Sequence, residues 1–487
     1  MKFIYLFLML IISFFISFFV ISPEFIATLM TIDDSYFYIK TAANMAKGLG
    51  STFDGINQTN GYHPLYFLLL TGLSYFFPLS GLEQLPILLF VEAVLLILLS
   101  MVIFSFLKTL SLTRFYQILV TLSIIFSIGL YDVGLETRLN ILLVFLLLKV
   151  SYACFNQESK GLLLAVSGMM PLCFLARVDN LILLFSLGAI FCCFYTKKIN
   201  LSFFKTMTLT TLPLLITVGL YAILNKYYFG IYSSISSLVK LSKSQVAMLH
   251  FSPQILFRWI VIFSITLFFG IFCFLQLKKQ SKWFKKKAKQ HILMVMGLFN
   301  VLYLSVLAFK GNMLMNWYFM LPLSFAFIFC AVFFQQVAYK KISPYTQKMY
   351  LAFSVIVLLA FPCLYAMQRL LKWHDFNHQH LEMALWIKAN LGQSSRIYQV
   401  DRSGRTGFIS ERSVINGDGL INSYAYYQDV LIKKNFQNYV KKWDIRYLIF
   451  YKHGDIDLLK HTLKKSTQVL YFNDYFVLVK APDISSI

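Results

Sequence analysis

Asp33 and Asp34 stand side by side in "TIDDSYFYIKTAANMAKGLG" (residues 31–50), directly after an apolar run, in a chain with 21 acidic residues against 44 Lys and Arg. Residues 36–47 read as a helix stopped by Gly48 and Gly50, and an Asp placed just before a helix is a good N-cap. One carboxylate is enough for a cap, and two neighbours repel, so the second needs another reason. A carboxylate at a helix N-terminus is kept ionised by the dipole and can take a proton from an attacking hydroxyl. Other ionisable groups stand at the edges of apolar runs: Glu136 and Arg138 in "YDVGLETRLN", and Arg177 and Asp179 in the tight link "ARVDN". Ionisable side chains held at such depth are functional candidates with partners nearby. Arg177, with Arg138, could clamp a phosphate ester through charge-assisted hydrogen bonds. The loop aromatics could stack on sugar faces, and Tyr36 and His63 are counted among the substrate contacts.

These groups must be carried by membrane helices. The chain has 487 residues, 58% hydrophobic and 13% charged, where a soluble protein carries about a quarter charged. Apolar runs long enough to cross a bilayer recur at 3–21, 86–107, 115–131, 139–155, 160–176, 179–196, 206–224, 255–277, 291–309, 317–338 and 348–367. The first run lacks a small-residue cleavage pattern and reads as a retained span. The shorter run 64–79 has proline at both ends. The basic links 108–114, 197–205, 278–289 and 339–348 belong on the cytoplasmic side. They all fall there if the N-terminus is inside and 64–79 lies along the outer surface; they all fall outside if 64–79 crosses. The expectation is therefore a polytopic α-helical membrane protein of about eleven spans, with 64–79 as an interfacial helix.

The net charge of +23 follows from these cytoplasmic anchors rather than from a nucleic-acid surface. The seven cysteines all lie in or at the edge of apolar runs, which excludes a disulfide framework and zinc spacing. No phosphate-cradling glycine motif occurs in the inner loops. The outer face receives residues 22–85, 131–140, 176–180, 225–254, 310–318 and everything after about 368. Segment 225–254, with Lys226, Lys240, Lys243 and His250, is either a lid over a site or an amphipathic surface helix. Glu92 lies about two turns into a span, near its outer end, and reads as a buried hydrogen-bonding or packing residue. Two domains are expected: a membrane module over 1–367, with its first outer loop at 22–85, and a small extracytoplasmic α/β domain over 368–487. In that domain 377–392 and 424–441 read as helices and 396–400, 446–451 and 475–480 as strands. The piece 401–423, rich in turn formers, Arg and Gly, reads as strand connections or an anion-binding surface.

The first outer loop, "DDSYFYIKTAANMAKGLGSTFDGINQTNGYHPL", resembles that of GT-C glycosyltransferases, in the bacterial branch that includes protein O-mannosyltransferases and aminoarabinose transferases. "GLET" at 134–137, "ARVDN" at 176–180 and "NWYFMLPL" at 316–323 resemble further segments of such proteins in the same order. The resemblance implies a GT-C-like fold and an inverting transfer of a sugar from a polyprenyl-phosphate donor. The acceptor hydroxyl would belong to a lipid, a glycan or a protein, with membrane lipid as a partner and no nucleic acid. It implies a catalytic acid in the first outer loop: Asp33 first, as general base, with Asp34 holding the acceptor or a divalent ion. Arg177 would bind the donor phosphate, a role resting on charge and position; His63 and Glu136 would contact substrate, with Arg138, Asp179 and Tyr36 beside them. No metal is expected to be obligatory, although the family is divided on metal use. The implied location is a bacterial inner membrane with the site on the periplasmic face. A transporter or flippase of lipid-linked sugars is the rival reading; it would need alternating access, and the chain shows no internal repeat.

Overall fold

The computed structural model describes residues 2–128, 133–157, 159–195, 201–242, 253–278, 287–310, 315–338, 375–452 and 468–480, with scattered positions between 345 and 367. The first apolar run forms helix Lys2–Phe15, extended by a wide turn over Ile16–Val20. The chain then bends by 98° between Leu8–Val20 and Pro23–Met30. Ser22-Pro23 dictates that bend. Proline forces the residue before it out of the helical region, and Ser22 is extended at φ −71°, ψ 152°, its hydroxyl accepting from the Phe25 N–H at 3.2 Å. The bent segment brings the chain to helix Asp33–Ala46, which begins with both aspartates.

Among the described residues six helices are long and apolar enough to cross a membrane, or seven if the bent pair forms one span. Three more of the expected runs form helices of 15 to 17 residues, roughly 23–26 Å long and short of the ~30 Å hydrocarbon core. The eleventh, 348–367, lies for the most part outside the described residues. Helix Pro64–Phe76, 13 residues, is roughly 20 Å long. It buries Tyr66, Phe67 and Leu70 and exposes Leu68, Leu69, Tyr75 and Phe76, as a helix lying along an interface does.

Helix Thr137–Asn156 is central, packing on Leu85–Thr109, Lys160–Ala176 and Lys287–Lys310. Two polar devices fix the bundle. Inside it, Arg138 and the Tyr66 hydroxyl both donate to the Glu92 carboxylate, which gives Glu92 the buried hydrogen-bonding position expected of it. At one end, Lys289 Nζ donates to Ser111 Oγ at 2.7 Å, and Gln335 accepts from the Thr113 N–H at 2.8 Å and donates to the Ser111 carbonyl at 3.0 Å. That end gathers the basic link 108–114 with the start of Lys287–Lys310 and the close of Met320–Ala338.

Among the described residues the C-terminal part holds a helix over 375–390 and five strands, β1 Arg396–Gln399, β2 Ser413–Asn416, β3 Tyr447–Tyr451, β4 Gln468–Phe472 and β5 Phe476–Lys480. Their order is β2-β1-β3-β5-β4; β1 runs parallel to β2 and β3, and β5 antiparallel to β3 and β4. Alternating residues feed two cores: Tyr398, Ile415, Leu448 and Val477 on one face, and Ile397, Val414, Ile449 and Leu478 with Met383 and Ile387 of the helix on the other. The strands expected at 396–400, 446–451 and 475–480 form. The helix expected over 424–441 is broken into Tyr424–Tyr426, a wide turn Tyr427–Ile432, and Phe436–Lys442. The turn-rich piece 401–423 contains a helix, Ser403–Ser410, and all of β2. Ser-Gly-Arg-Thr-Gly is a poor helix former, so that helix depends on its partners.

Candidate active site

The two aspartates point to different partners. Asp33 Oδ2 accepts from the Gly404 N–H at 2.9 Å, and Oδ1 from the Arg405 N–H at 2.8 Å. These are first-turn donors of helix Ser403–Ser410, which have no partner within their own helix. Hydrogen bonds to a charged group contribute about 1.5–3 kcal/mol each. Lys40, two turns on, donates from Nζ to the carbonyls of Gly407 at 2.7 Å and Arg412 at 2.6 Å. Asp34, about 100° around the helix from Asp33, makes no hydrogen bond among the described residues and faces a cleft.

That cleft is lined by Asp34, Tyr38, His63, Glu136, Arg177 and Lys240, with Trp317, Tyr318, Leu420 and Ile421. Its walls come from the first outer loop, the links at 131–140, 176–180 and 310–318, segment 225–254 and the C-terminal part. These are the segments that the basic-loop parity puts on one face. Lys240 is carried by helix Ile235–Ser242, which is neither detached nor lipid-facing along its whole length: Ile235 and Val239 are buried against Tyr427, Leu420 and Leu431. Residues 243–252, with Lys243 and His250, lie outside the described residues.

Arg177 is the hub of the far wall. Its Nη1 donates to Glu136 Oε1 at 2.5 Å, and its Nε and Nη2 grip Asp179 at 3.0 and 2.8 Å. Tyr303 adds a bond to Asp179 at 2.9 Å, and Tyr38 one to Glu136 Oε2 at 2.9 Å. Burial opposes ionisation of Glu136, but His63 when protonated and Arg177 always hold its carboxyl below the usual range. His63 lies 3.6 Å from Glu136; burial pushes its imidazole down to about 4, so it is neutral near pH 7. The Tyr318 ring lies between two cations, 5.3 Å from Arg177 Cζ and 5.5 Å from Lys240 Nζ. Lys240 Nζ donates to the Tyr318 hydroxyl at 3.0 Å, which leaves two of its three N–H groups available for an anion. Withdrawal from water pushes the Asp34 carboxyl up to about 7, against the pull of Lys240.

The structure thus brings Asp34, His63, Glu136, Arg177 and, behind Arg177, Asp179 into one place. It puts Asp33 against the C-terminal domain. Arg138 turns into the bundle toward Glu92 rather than lining the cleft. Tyr36 is fully buried, its hydroxyl 2.7 Å from Thr31 Oγ1 and its ring against Phe408. Sequence reading passed over Tyr38 and placed Lys240 only in a segment read as a lid over a site or a surface helix. Tyr38 was accessible, because it stands four residues after Asp34 and shares its helix face. Lys240, Leu420 and Ile421 carried no such signal, being distant along the chain. Asp34 and Glu136 are the carboxylates that a cation in the cleft would meet. Among the described residues no group of three His, Cys, Asp or Glu side chains forms a ligand set.

No protein-family model and no curated protein matches the chain. Solved structures share its fold nearly end to end. ArnT from Cupriavidus metallidurans bound to undecaprenyl phosphate superposes with a TM-score of 0.57 at 12% identity, covering 98% of this chain and 97% of that one. The same protein in the apo state gives 0.54 at 11% identity, covering 99% and 98%. At such identity the likeness is one of fold: the chain shares the fold of ArnT, with a polytopic helical membrane part and a small C-terminal region of strands and helices.

Proposed function

We propose that this protein is a membrane glycosyltransferase that moves a sugar from a polyprenyl-phosphate donor to an acceptor hydroxyl at the outer face, with inversion, using Asp34 as general base. The observation that carries the reading is an Asp34 carboxylate without a hydrogen-bond partner among the described residues, in a cleft that also holds Lys240 and the Arg177–Glu136 pair. The shared fold with a protein solved with undecaprenyl phosphate supports a donor of that class. Asp34 takes the hydroxyl proton, the oxygen attacks the anomeric carbon from the side opposite the phosphate, and the C–O bond to phosphate breaks with its electron pair leaving on the phosphate. Lys240 offers the N–H groups for that leaving anion, because Arg177 is already engaged by two carboxylates. Arg177 supplies field and holds Glu136 in place. Asp33 ranks below Asp34 as base because both its oxygens already accept backbone hydrogens.

The reading is tested with the protein reconstituted in vesicles and a labelled polyprenyl-phosphate sugar. Transfer to an added acceptor is the expected result. Movement of intact donor across the bilayer, with no acceptor needed and no sugar transferred, would overturn it in favour of a flippase.

A pH dependence follows. The base must be ionised, so kcat/KM rises with pH through an acid limb near 7. Lys240→Gln removes the cation that favours the ionised form, so the limb moves upward. It also raises the donor KM roughly 10- to 100-fold, the equivalent of one charge-assisted bond. A pH–rate series on both proteins checks this; a limb that stays in place in Lys240→Gln counts against the pairing.

A further inference from the structure

We infer that Asp33 and Lys40 are positioning residues: by gripping the two ends of helix Ser403–Ser410 they fix the C-terminal domain over the cleft, so that Leu420 and Ile421 close it beside Asp34. The inference rests on the transferase reading and adds to it the means by which the base is enclosed.

The grip is matched in charge and length. Asp33 supplies a carboxyl group to the helix N-terminus and Lys40 an amino group near its C-terminus, the ends at which the peptide dipoles favour their ionised forms, although burial pushes the Asp33 carboxyl up and the Lys40 amine down, the latter to about 7. Seven residues separate them, roughly 10 Å along a helix, close to the roughly 12 Å of the eight-residue Ser403–Ser410. That helix has no side-chain cap of its own, since Arg402 occupies the N-cap position in the left-handed region at φ 59°. The approach is close enough to require glycine. A Cβ on Gly404 would lie 2.2 Å from the Asp33 carbonyl oxygen, and one on Gly61 would lie 2.1 Å from the Leu420 carbonyl.

Buried hydrogen bonds carry the grip to the cleft wall. Ser403 Oγ accepts from Asn416 Nδ2 at 2.9 Å. Asn416 Oδ1 accepts from the N–H groups of Gly419 and Ile421 at 3.0 and 3.3 Å, and the Asn416 carbonyl from Asn422 Nδ2 at 2.8 Å. Ser403, Asn416 and Asn422 are at most 1% exposed. The turn bearing Leu420 and Ile421 is therefore set by where helix Ser403–Ser410 is held.

Gly404→Ala in the full-length protein tests this without altering a cleft side chain. The charged groups that act on or face Asp34 are Asp33 on its own helix, Lys240, Asp401 and Asp418 from the C-terminal domain, and His63, Glu136 and Arg177 across the cleft. Displacing the domain admits water to Asp34 and withdraws two acids, and both changes favour its ionised form. The expected result is at least a tenfold loss of kcat/KM, with the acid limb moved downward by more than one pH unit. Lys40→Gln is a second route to the same downward shift should the alanine variant not fold. A loss of activity with the limb unmoved, or unchanged activity, overturns the positioning role. If Asp34→Asn turns over normally, it is the reading of Asp34 as base that fails instead.

Discussion

Asp34→Asn lowers the turnover of sugar transfer by about 10²- to 10⁴-fold, the usual contribution of a positioned general base, while the protein folds and binds donor. The substitution keeps the shape of the side chain and removes its ability to accept a proton. Asp34 carries no structural hydrogen bond among the described residues, so its loss leaves no buried donor unpaired. Asp33→Asn acts by another route. The amide can accept from only one of the two backbone N–H groups that the carboxylate now satisfies, so that variant loses stability and shifts its pH profile. Single-turnover assays with labelled donor, run beside thermal unfolding in detergent, separate the two. If Asp33→Asn abolishes transfer at unchanged stability while Asp34→Asn is active, the roles of the two aspartates are reversed.

Arg177→Met lowers stability by about 3–5 kcal/mol, the range for breaking a buried ion pair by removing one partner. The side chains of Arg177 and Glu136 are 6% and 3% exposed, and without the guanidinium Glu136 and Asp179 face each other uncompensated. Arg177→Lys restores only part of the loss, because an ammonium cannot grip Asp179 through two bonds while reaching Glu136. Adding Glu136→Gln and Asp179→Asn to Arg177→Met recovers stability but not activity. Unfolding midpoints of the four proteins decide the matter; an Arg177→Met protein as stable as the parent would show that the cluster is not structural.

The sequence by itself determined the apolar helices, the short helix Pro64–Phe76 among them, and the gathering of mixed polar residues on one face. Each depends on local hydropathy or on the count of basic links, and both can be read along the chain. The division of the aspartates needed the structure: a helix over 36–47 leaves both acids outside it as caps, whereas the helix starts at Asp33 with Ile32 at the N-cap, so that Asp33 and Lys40 share one face and Asp34 and Tyr38 another. What faces those sides could not be read, because Gly404 follows Asp33 by 371 residues and a helix of low intrinsic propensity gives no signal of its own. Only the tertiary structure decided that Arg138 donates to Glu92, that Arg177 is held by two acids, and that Lys240 faces the cleft with N–H groups to spare. Such pairings are settled by which buried charges meet across the packed bundle, a property of distance in space that neither spacing nor composition encodes.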